Sequence, residues 1–95
     1  MFIISIAVHN SITEQQYAAM FPKHVEWFQK YYQQKKFVVL GPYTDTDAHS
    51  GVIITADMSR KDLEEILAED SFYPDSAEYQ IREFEGKLTY LDTDK

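Results

Sequence analysis

The order of hydrophobic periods in this 95-residue chain predicts one α+β domain, an antiparallel sheet of four strands with two helices on one of its faces. Three observations predict it. Four short segments rich in β-branched and aromatic residues have the length of strands, and two longer segments repeat their apolar residues at helical spacing. The segments follow one another as β-α-β-β-α-β, which is the ferredoxin-like plan. No repeat, low-complexity stretch or linker interrupts them, so residues 1–95 read as a single domain.

Residues 2–8 (FIISIAV) are apolar and too few for a core helix, so they read as a buried strand. Thr13 and Gln16 fit a capping box, and Tyr17 and Met20 follow at helical spacing. Pro22 either kinks one long helix or opens a second one at its first turn. From Val25 onward Phe28 and Tyr32 fall on one face, with Trp27 and Tyr31 beside them and charged or amide side chains filling the rest. Lys35 and Lys36 suit a helix C-terminus. Residues 37–40 (FVVL) form the second strand, ended by Gly41-Pro42 and the polar stretch 44–50. Residues 51–56 (GVIITA) form the third. Ser59 caps the second helix with Asp62 as its reciprocal partner, and Leu63, Ile66 and Leu67 form the apolar face. Residues 78–84 alternate, Tyr79 and Ile81 to one side and Gln80 and Arg82 to the other, as a strand with one less buried face does. Residues 86–95 read as a short C-terminal strand or arm.

Composition narrows the function. Hydrophobic residues at 44% and charged residues at 26% describe a globular chain. Sixteen acidic against nine basic residues leave a net charge of −7, which repels phosphate backbones and anionic lipid surfaces; neither nucleic acid nor membrane is an expected partner. The absence of cysteine excludes disulfides, thiolate nucleophiles and cysteine-ligated metal centres. The apolar N-terminus lacks the basic region and cleavage signature of a signal peptide, and no segment reaches the length of a membrane span, so a cytoplasmic protein is expected. The first three strands carry apolar residues at both parities: Ile3 against Phe2, Ile4 and Ile6, Val39 against Val38 and Leu40, Ile54 against Ile53. Helices cover one face only, and a second copy laid sheet against sheet covers the other, so a homodimer is expected.

Chemistry-bearing residues are few. His24, just past Pro22, is expected in the first turn of a helix, whose positive end disfavours the imidazolium and leaves a neutral ring able to accept a proton. The plainer alternative is a part-buried histidine satisfied by its neighbours. Asp70 ends the second helix at the negative pole of its dipole, a placement that calls for a specific partner unless it is a surface turn former. His9, His49, Asp45 and Asp47 show no ligand spacing of a metal site, and no metal or other cofactor is expected. Gly41, Pro42 and Tyr43 make a strand-ending turn at which the glycine admits close approach of a ligand. Trp27, Tyr31 and Tyr32 suit either the wall of a pocket for a planar molecule or the core. The three glycines at 41, 51 and 86 make no phosphate-cradling loop, and there is no nucleophile elbow.

In order and spacing these pieces resemble the YCII-like family of small dimeric α+β-barrel proteins. The resemblance runs over roughly residues 2–85: the strand FIISIAV, Pro22-Lys23-His24 leading into an aromatic helix, the strand ending in Leu40-Gly41-Pro42, the strand GVIITA, the helix finishing in Ala68-Glu69-Asp70-Ser71-Phe72, and the closing strand Tyr79-Gln80-Ile81-Arg82-Glu83-Phe84. It implies a dimeric α+β barrel with a cleft holding a histidine and an aspartate, here His24 and Asp70, and Phe72 at the cleft. The family's usual Asp-Pro-Phe or Asp-Pro-Tyr is Asp70-Ser71-Phe72 in this chain, and Tyr73-Pro74-Asp75-Ser76-Ala77 replaces the small residues that usually follow.

The expected function is a cofactorless lyase or isomerase. His24 removes an acidic proton from a small organic acid or related metabolite, Asp70 orients the ring, and Tyr31 or Tyr43 donates to the developing oxyanion. Trp27, Tyr31, Gly41, Pro42, Tyr43 and Phe72 are the expected substrate contacts. The alternative is a non-catalytic protein that binds a small molecule in the same cleft or serves as a structural dimerisation unit.

Overall fold

A computed structural model describes residues 1–89. The elements are β1 (Phe2–Val8), α1 (Glu14–Gln33), β2 (Phe37–Pro42), β3 (Ser50–Thr55), α2 (Arg60–Leu67) and β4 (Ala77–Glu83). The strands lie in the order β2-β3-β1-β4, each antiparallel to its neighbours, so the ferredoxin-like plan is the observed one. Residues 86–89 carry no strand, and 90–95, the rest of the expected C-terminal arm, lie outside the described residues.

Local signals account for the helix ends. Thr13 accepts from the Gln16 amide at 3.0 Å while Gln16 Oε1 accepts from the Thr13 amide at 2.9 Å, closing the predicted box. α1 then runs unbroken for 20 residues with Pro22 inside it. The ring sits at an exposed position, and the helix gives up only the bond that a proline amide cannot donate. At its far end Lys35 takes φ 65°, and the Lys35 and Lys36 amides reach back to the Tyr32 and Tyr31 carbonyls at 2.9 Å each. That is a Schellman closure built on a lysine where glycine is the usual residue. Ser59 accepts from the Asp62 amide at 3.0 Å, but the reciprocal bond from Asp62 is not among those made by the described residues.

The core lies between the helices and one face of the sheet. Phe2, Ile4 and Ile6 on β1, Phe37, Ile53 and Ala77 on the other three strands, Trp27 and Tyr31 on α1, and Leu63, Ile66 and Leu67 on α2 belong to one buried cluster. Each fully buried large side chain contributes about 2–3 kcal/mol by area removed from water. The buried stripe of α1 is therefore Trp27 and Tyr31, not the Phe28 and Tyr32 expected from periodicity; Tyr32 is 56% exposed. β2 continues through Gly41-Pro42 instead of ending before them. Close strand approach there falls on Gly51, where a Cβ would stand 2.7 Å from the Gly41 carbonyl oxygen. A Cβ on Gly41 would meet nothing within 4 Å.

Candidate functional site

His24 and Asp70, 46 positions apart, meet between the middle of α1 and the turn after α2. Nδ1 of His24 lies 2.7 Å from Oδ1 of Asp70. Because α1 is continuous, His24 is not in a first helical turn, and the helix-dipole argument for its charge state does not apply. Asp70 stands three residues beyond α2, and its amide donates to the Leu67 carbonyl at 3.0 Å. Ser71, where the resemblance leads one to expect proline, donates its hydroxyl to the Met20 carbonyl at 2.9 Å. This bond, impossible for proline, ties the turn to α1 one turn before His24.

The carboxylate is fully enclosed, with its side chain 0% exposed against 15% for His24. Its second oxygen accepts from the Tyr79 hydroxyl at 2.6 Å. Burial first, then the hydrogen bond to Asp70, pushes the Tyr79 phenol far above its ordinary value, so it stays a protonated donor. Both oxygens of a buried charge are thereby partnered, the condition under which such a group is tolerated. The His24 ring packs against Trp27, Phe28 and Phe72 at centroid distances of 5.5, 5.2 and 5.2 Å. Among the described residues its Nε2 has no partner, yet none of their buried side-chain nitrogens or oxygens lacks one. Nε2 is therefore the accessible nitrogen.

His24 lies in the wall of a cavity of about 260 Å³, just below the usual range for drug-sized ligands and suited to one ring. Ile6, Val8, Leu40 and Ile53 rise from the sheet as its floor, and Tyr17, Phe21, Phe28 and Phe72 close its sides. Of the expected contacts, Gly41, Pro42, Tyr43 and Phe72 border this cavity; Trp27 and Tyr31 do not. Trp27 is a core residue whose indole N–H donates to the Ile66 carbonyl at 2.8 Å, which fixes the ring behind His24. Tyr31 is buried against Phe37 and donates its hydroxyl to Glu69 at 2.7 Å, directed away from the cavity. The Tyr43 hydroxyl pairs with Ser5 Oγ at 2.6 Å, and Ser5 points to the sheet face opposite Ile4 and Ile6. Neither expected oxyanion donor is thus directed at His24.

Residue reading alone missed Tyr79, although the inward parity it shares with Ile81 was the available signal. It also gave no role to Tyr17, Phe21 and His49, which border the cavity. Among the described residues no group of three or more histidine and acidic side chains is placed to hold a metal ion, and no helix is long and apolar enough to cross a membrane.

Comparison with known proteins adds two findings. The family model of the YCII-related domain matches residues 1–85. Among solved structures the chain is similar to the 5-chloro-2-hydroxyhydroquinone dehydrochlorinase of Burkholderia phenoliruptrix, in its complex with 2,5-dihydroxybenzoquinone, with a TM-score of 0.68 and 15% identity over 90% of this chain and 94% of that one. That likeness is one of fold. No curated protein matches the sequence.

Proposed function

We propose that the chain, which belongs to the YCII-related family, is a lyase or isomerase acting on a small hydroxylated or halogenated organic acid, with His24 as its base. The observation that carries this reading is the His24–Asp70 contact of 2.7 Å, made by a fully enclosed carboxylate to the one ring nitrogen that does not face the cavity. An ionised Asp70 accepts from Nδ1–H and so selects the tautomer whose Nε2 lone pair is free. The arrangement is that of an orienting carboxylate behind an imidazole base.

In the proposed reaction Nε2 takes a proton from a carbon next to a carbonyl or enol of the substrate, and Asp70 stabilises the imidazolium that forms. The electrons of the broken C–H bond become the new π bond. In an elimination they displace halide or hydroxide, which leaves with the electrons of its own bond. In an isomerisation the imidazolium returns the proton to another carbon. The largely apolar walls lower the local dielectric, which strengthens each charge interaction inside. A halogen-eliminating protein of similar fold, solved with a dihydroxyquinone, supports single-ring oxygenated compounds as the first class to try.

The test is turnover of a panel of hydroxylated and chlorinated ring acids, followed by proton NMR in deuterium oxide for exchange or elimination. Wild type should process at least one of them, and His24→Gln should lower the rate by about a hundredfold to ten-thousandfold. Binding without exchange by wild type would favour the non-catalytic alternative. A His24→Gln variant as active as wild type would exclude His24 as the base.

A further inference from the structure

The cavity holds a second imidazole paired with a carboxylate. His49 borders it from the loop before β3, and its backbone carbonyl accepts from the Val8 amide at 2.9 Å. Its ring lies flat on Tyr17, with centroids 3.7 Å apart and planes 10° from parallel. Nε2 stands 3.3 Å from each carboxylate oxygen of Glu14 in the first turn of α1. The backbone bond fixes the loop position, and the Tyr17 stack with the Glu14 contact orients the ring. The remaining nitrogen, Nδ1, has no partner among the described residues and is not a buried unsatisfied atom, so it is open to a ligand. Tyr17 and Phe72, whose centroids are 5.8 Å apart, connect this ring to His24 along a continuous aromatic wall.

Charge gives the pairing a purpose. The protein carries −7 overall, and among the described residues no lysine or arginine borders the cavity. Among the described residues His24 and His49 are the only side chains bordering it that can carry a positive charge, so an acidic ligand finds its charge partner at one of them. His24 is committed to the proton it removes. With Nε2 engaged by Glu14, the ring offers Nδ1 to a ligand, and it does so as a charge-assisted donor whenever both ring nitrogens carry a proton.

We propose that His49, held by Glu14 and Tyr17, is the acid-recognition residue of the cavity, and that the ligand is a planar single-ring acid whose anionic oxygen rests on Nδ1 of His49 while its reacting carbon lies toward His24. This rests on the reading of His24 as the base.

Imidazole 15N–1H spectra of wild type and His49→Gln, titrated with benzoate, 2,5-dihydroxybenzoquinone and the neutral ring benzyl alcohol, test it. Both acids should move the His49 ring signals. His49→Gln should weaken acid binding about tenfold and change benzyl alcohol binding by less than about twofold. A His49 ring unmoved by either acid overturns the proposal, as does a His49→Gln protein that binds the acids like wild type. Acids that move His49 and leave His24 unmoved sustain this inference and sink the catalytic reading. Signals that move at His24 alone do the reverse.

Discussion

Asp70 is the residue on which most of the site depends, and Tyr79 is what makes its burial tolerable. A buried carboxylate stripped of one partner carries an unsatisfied lone pair, at a cost of about 1–3 kcal/mol. Tyr79→Phe removes the hydroxyl that serves Oδ2 and nothing else of similar size. It should lower the unfolding free energy obtained from urea titration by about 1–3 kcal/mol. The pH dependence has a definite sign. The folded state holds the Tyr79 proton more tightly than the unfolded chain does, so this stabilisation is complete below the ordinary phenol value of 10.0 and is lost as pH rises above it. The gap in stability between wild type and Tyr79→Phe should thus be level through neutral pH and shrink above about pH 10. A gap that stays constant into that range would mean that burial at Tyr79 is not coupled to its proton.

At the scale of elements, features set by neighbours within a few positions were legible. Strand and helix order followed from the change of period, and the Thr13–Gln16 box from two residues three apart. Features set by which flank of a helix meets the sheet were not. The sequence marks a broad aromatic stripe on α1, and the choice of Trp27 and Tyr31 over Phe28 and Tyr32 as its buried centre comes from the phase of a helix that begins at Glu14 and passes through Pro22. That same continuity removed the dipole argument for His24. The His24–Asp70 contact spans 46 positions, and no local period encodes it; helices lying side by side allowed the pair and the family resemblance implied it, but only the geometry brings the two into contact. Tyr79 had readable direction but no readable partner. His49 lay in a polar loop whose path no pattern specifies.

For the whole molecule the open face of the sheet is the outstanding surface. Val39, Ile54 and Ile3 form one row across β2, β3 and β1, and Gly41, Val52 and Ser5 form the next. Val39 is 43% exposed, and the helices do not reach this side. An apolar row followed by a row with small side chains suits a second sheet at close range, so a homodimer through this face belongs to the proposed account. Sedimentation of wild type at micromolar concentration should then give a dimer, and Ile54→Lys, which leaves the helix-side core untouched, should give a folded monomer. A monomeric wild type, or an Ile54→Lys dimer, would contradict that interface.

The account turns on one proton, the one between His24 and Asp70. Long-range 15N–1H correlation on the neutral His24 ring reads its position directly. The account predicts a protonated Nδ1 and a bare Nε2, with the Nε2 resonance moving when a ring acid is added. A ring protonated at Nε2 with Nδ1 bare would leave no base facing the cavity and would contradict the proposed chemistry.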